Sequence, residues 1–229
     1  MTITEPMTLA TDYLIVAVAL SLSWKLFKSW REDRIEGKRL WALALLFTGC
    51  GAFFGGTYHG FKEVLGETIS DILWRLTLLS TGLVSLYMAL GSIHTMTGSK
   101  YLQVARIVTG IKFAAYAATT IFFTKFLLVI IDYGSVMLFM LGLAAYTALK
   151  HKSQSAKWAV LAVITSFIAA AIQQLGPDLH QHFNHNDLYH IVQTGGVYLF
   201  YLSAKHAEYV GHPQVYLDPY QTIVPSVPT

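Results

Sequence analysis

"ISDILWRLTLLSTGLVSLYMALG", residues 69–91, has only two charged side chains, Asp71 and Arg75, and both lie in its first two turns. A helix needs about 20 mostly apolar residues to cross roughly 30 Å of hydrocarbon, and this stretch meets that length. Comparable blocks run at about Leu9–Phe27, Leu40–His59, Val104–Thr124, Phe126–Leu149, Trp158–Leu175 and Asp187–Ala204. The whole chain is 54% hydrophobic and 13% charged, against roughly 25% charged residues in soluble domains. The expected fold is therefore all-α: a polytopic membrane protein built as a seven-transmembrane-helix bundle. Residues 1–208 form its single domain, and 209–229 an irregular cytoplasmic tail containing four prolines.

Net charge is only +3, and the basic residues stand between the apolar blocks. That pattern orients a protein in a membrane and argues against nucleic-acid binding. Lys25, Lys28, Arg31, Arg34, Lys38 and Arg39 follow the first block, and Lys150, Lys152 and Lys157 follow the fifth. The links on the opposite side, "GFKEVLGET" and the turn near Lys125, hold one lysine each, and 176–186 holds none. The N-terminus is expected outside or in a lumen and the C-terminus in the cytoplasm. "MTITEPMTLATDY" carries Glu5 and Asp12 but no basic residue, so the first block is expected to stay as an anchor. The lone Cys50 cannot form an intrachain disulfide.

This direction of threading brings distant residues to one membrane depth. His59 ends the second block on the outer side, Asp71 opens the third, and His190 opens the seventh within "HFNHNDLYHIVQTGG", residues 182–196. Ionisable groups at such depths face the bundle interior and mark functional sites. Imidazole and carboxylate suit zinc, which makes a hydroxide nucleophile from bound water, and Asp71 would manage the proton. Plainer readings compete: His59 could bond a loop carbonyl, Asp71 could cap its helix or pair with Arg75, and the histidine cluster could be a wet loop. Lys112 and Asp132, deep in neighbouring blocks, are expected to pair with each other. Gly49, Gly51, Gly55 and Gly56 are expected to permit close helix approach.

"FFGGTYHGF", "ISDILWRLTLLSTG" and "NDLYHIVQTGGVYLF", in this order, resemble the three signature regions of the alkaline ceramidase / progestin-adipoQ-receptor / Per1 superfamily of seven-span membrane hydrolases. The family pattern is Ser-x-x-x-His, then Asp, then His-x-x-x-His. His59, Asp71 and His190 fall on the first histidine, the aspartate and the last histidine. Gly55 stands at the serine position and Asn186 at the first histidine of the final motif. The resemblance implies zinc held by His59, His190 and a third imidazole, His185 in preference to His182, with Asp71 as the catalytic carboxylate. It also implies membrane lipids as partners and hydrolysis of a lipid amide or ester. The alternatives are a non-catalytic lipid-binding or receptor-like membrane protein, or a transporter using Lys112 and Asp132.

Overall fold

The computed structural model describes residues 3–177, 180 and 183–207; His182, the alternative third ligand, and the expected tail lie outside them. The described residues form six helices: α1 (Pro6–Asp33), α2 (Glu36–Thr97), α3 (Leu102–Phe122), α4 (Leu127–His151), α5 (Gln154–Leu175) and α6 (His185–Lys205). Four of them, α1, α2, α4 and α5, are long and apolar enough to cross a membrane. The chain is thus an all-α protein of the helical membrane kind.

The helix count departs from the expected seven at one place. "GFKEVLGET" is helical rather than a loop, so the second and third apolar blocks belong to one element, α2. That element is nevertheless broken at Gly66, whose φ of 76° and ψ of 166° lie outside helical values. A β-carbon disfavours this backbone conformation, which glycine adopts freely. Ser70 Oγ spans the break by donating to the Lys62 carbonyl at 3.0 Å. The result is two arms, residues 36–65 and 67–97, on either side of one glycine.

Each helix end has a local cause. Arg34 in the left-handed region closes α1, and Ser153 caps α5 by accepting from the Ala156 amide at 3.3 Å. The start of α6 is a capping box. Asn184 Oδ1 accepts from the Asn186 and Asp187 amides, while Asp187 Oδ2 accepts from the Asn184 amide at 2.8 Å. Such reciprocal bonds satisfy amides that a helix start leaves without partners.

Helix α1 packs on α2 and α6, and α5 joins α6 to α4. Two glycines of α2 make the first contact possible. A β-carbon at Gly56 would stand 2.7 Å from Asp12 Cβ, and one at Gly49 would stand 2.7 Å from Leu20 Cδ2. Gly51 and Gly55 face the other arm of α2 instead, toward Ser80 and Thr77. A β-carbon at Gly51 or Gly55 would make only ordinary contact there, so the expectation of close approach holds for Gly49 and Gly56, against α1.

The predicted charge pair is present. Lys112 Nζ donates to the Asp132 carboxylate, to the Asp132 carbonyl at 3.0 Å and to Ser85 Oγ at 3.2 Å. On α3, Val104, Ile107, Val108 and Ile111 share the helical i, i+3, i+4, i+7 spacing and are each more than half exposed. That outward apolar stripe is the surface expected against hydrocarbon.

Candidate functional site

A cavity of about 390 Å³ runs inside the bundle. Helices α1, α4, α5, α6 and both arms of α2 line it, and α3 contributes none of the described lining residues. It extends from His59 to Trp41 along one arm of α2, about 27 Å at the helical rise of ~1.5 Å per residue. On α6 it reaches from Asn186 to Phe200, about 21 Å by the same rise. The far end is closed by Trp41 stacked on Phe200, ring centroids 5.5 Å apart. Between the ends the wall is mostly apolar, with residues such as Val84, Met88 and Met137.

The other end is polar, and α1 supplies much of its polarity. Asp12, His59, Asn186 and His190 line it. His190 Nδ1 lies 3.0 Å from Thr11 Oγ1, and its Nε2 lies 3.3 Å from Asp12 Oδ1. The Thr11 hydroxyl proton is directed to the Met7 and Thr8 carbonyls, at 3.0 and 3.1 Å. With that bond kept, Thr11 accepts from His190, so Nδ1 carries a proton. His190 is therefore a buried imidazole fixed in orientation, with Nε2 beside the Asp12 carboxyl.

Around this pair stands a supporting layer. Thr8 Oγ1 donates to Asp187 Oδ1 at 2.9 Å, which ties α1 to the start of α6. The Thr4 amide donates to the Gly60 carbonyl at 2.9 Å, and Glu5 lies 2.7 Å from Lys62 Nζ and 3.2 Å from His59 Nδ1. Burial acts to raise the Glu5 pKa, but the Lys62 hydrogen bond and the His59 and Lys62 charges outweigh it, leaving the carboxyl below its ordinary value. An ionised Glu5 thus clamps the first turn of α1 over the end of the α2 arm.

The sequence-predicted residues separate here. His59 and His190 both line the cavity at its polar end. Asp71 does not line it; its side chain is half exposed, and Arg75 Nε donates to its Oδ2 at 2.7 Å. Arg75 is held in turn by the Thr120 and Ile121 carbonyls, at 2.6 and 3.0 Å. The pairing one helical turn away is thus the reading of Asp71 that the contacts bear out. His185 is the first residue of α6 and is not on the cavity wall. Among the described residues, no three His, Cys, Asp or Glu side chains gather closely enough to hold a metal ion. His59, His185 and His190 do not fit a zinc site as placed, because both ring nitrogens of His190 face protein partners and His59 Nδ1 faces Glu5.

Sequence reasoning missed Asp12, Thr11 and Asp187. A signal for Asp12 was present, since it sits inside the first apolar block, where an ionisable side chain marks a functional site by default. Thr11 and Asp187 carried no comparable signal.

No curated protein and no solved structure matches the chain. Residues 7–209, which span every helix but the first residue of α1, match the family described as "Family of unknown function (DUF6962)", and the chain belongs to that family.

Proposed function

We propose that this membrane protein binds a single-chain amphiphile, with the chain in the bundle cavity and the head at Asp12, His59 and His190. The observation that carries this reading is the cavity's shape and polarity: a long, mostly apolar tube whose Asp and His side chains, Asp12, His59 and His190, all stand at one end. Ligand sites are mostly apolar concavities with a few placed polar groups, and a membrane supplies amphiphiles of matching form.

The same reading has the chain crossing the membrane seven times, the two arms of α2 counting separately and α3 and α6 completing the set. Supporting this, the charges that make α3 and α6 less apolar are answered inside the bundle: Lys112 by Asp132, Asp187 by Thr8. The lysine and arginine asymmetry puts the N-terminus and the polar end of the cavity outside. In a Cys50→Ala background, the exposed positions in His180→Cys and Ser99→Cys should label from the outer and the cytoplasmic face respectively. Labelling of both from one face would reject the threading.

Binding is read by fluorescence, because Trp74 lines the cavity near its polar end and Trp41 closes its far end. Versions retaining only one of these tryptophans are mixed with an alkyl glycerol brominated either near its head or at its chain terminus. Head-proximal bromine should quench Trp74 more strongly, and terminal bromine Trp41. Quenching that neither saturates nor depends on bromine position would reject the site.

A second reading, hydrolysis of a lipid amide or ester, is favoured by one observation. The His190–Asp12 pair is a fixed acid–base couple on the cavity wall. In that reading His190 Nε2 takes the proton of the attacking water, Asp12 beside it steadies the imidazolium so formed, and Asp71, bound to Arg75, has no part in the step. Zinc enters only as an arm of the test. Fatty-acid release from lipid amides and esters, with and without a chelator, separates hydrolysis from binding alone.

A further inference from the structure

Within the amphiphile-binding reading, on which this inference rests, we infer that the site selects heads that donate hydrogen bonds and carry no negative charge, hydroxyl or ammonium. Asp12 carries the argument. Its side chain is only 7% exposed, its Oδ1 faces His190, and its Oδ2 is buried without a hydrogen-bond partner. A buried carboxyl oxygen left unpaired is costly, so a donor presented by the ligand would gain the bond that the protein does not supply.

The surroundings point the same way. Two further acidic side chains, Glu5 and Asp187, are close enough to act electrostatically on Asp12. Among the described residues no lysine or arginine lines the cavity. At this end Lys62 is taken by Glu5 and Arg75 by Asp71. A carboxylate or phosphate head would enter next to Asp12 with no cation to receive it, and burying such a charge unpaired is strongly unfavourable. Asn186 and Gln193 add neutral amides to the wall, and the Gln193 amide already donates to Ser166 Oγ at 3.3 Å. Hydroxyl and ammonium heads share the chemistry Asp12 needs.

The test is competition in the Trp41 reporter at neutral pH. Four amphiphiles of one chain length, ending in glycerol, amine, carboxylate or phosphate, displace the terminally brominated alkyl glycerol. The glycerol and amine compounds should displace it at concentrations about tenfold or more below those needed for the carboxylate and phosphate compounds. Asp12→Asn, which keeps the shape but can present an amide donor where the Oδ2 acceptor stood, should narrow that gap. Equal displacement by all four heads in the wild-type protein would overturn the head-group inference and leave cavity binding intact. Displacement by none, with no saturable quenching to begin with, would remove both.

Discussion

Gly134→Phe should abolish saturable binding of the brominated alkyl glycerol while leaving the protein as stable as the parent or more so. Gly134 lies on α4 and lines the cavity, and a β-carbon there would meet nothing within 4 Å. The added ring would point into open space rather than into a packed neighbour, so the usual cost of overfilling a core does not apply. Replacing a helix-interior glycine also removes an intrinsic penalty of up to ~1 kcal/mol. Affinity should fall about a hundredfold or more, since excluding the chain removes apolar burial worth roughly 0.8 kcal/mol per CH₂. Gly110→Phe is the control: it too has open space at the β-carbon, but α3 does not line the cavity. It should bind like the parent. Parent-like quenching in Gly134→Phe, with the control unchanged, would mean that the ligand sits elsewhere.

The second large effect concerns stability alone. Lys112→Met should lower the stability of the folded bundle by about 3 kcal/mol, because it leaves Asp132 buried without its counter-charge. Asp132 is 8% exposed and takes its charge-assisted bond from Lys112. Adding Asp132→Leu to Lys112→Met should recover most of the loss, as replacing both partners removes the stranded charge. Denaturant titration in detergent compares the three proteins. Neither change touches the cavity wall, so amphiphile binding in the folded fraction should be unaltered. Full stability in Lys112→Met would mean that the pair is incidental. Binding lost in the double variant would instead revive a role for these charges in ligand or ion movement.

The sequence by itself determined the helical membrane character of this protein, the approximate position of every apolar block, and the Lys112–Asp132 pair. Block length and the high cost of unpaired charge in hydrocarbon are properties of the chain before it folds, so composition and spacing report them directly. The same logic placed His59 and His190 at one end of the bundle, because alternate threading fixes depth. It could not show that the second and third blocks share one helix broken only at Gly66, since a continuous helical link and a short loop have the same composition there. Nor could it rank partners around a site. Asp71 and Arg75 were close enough in sequence to pair, and they do, which takes the carboxylate out of the cavity. Asp12 and Thr11 meet His190 across 178 and 179 positions because Gly56 lets α1 approach α2 and because Thr8 reaches Asp187. Hydrogen bonds between helices depend on which faces turn inward and how closely the axes approach. Side-chain packing of the whole bundle sets both, and only the tertiary structure carries that information.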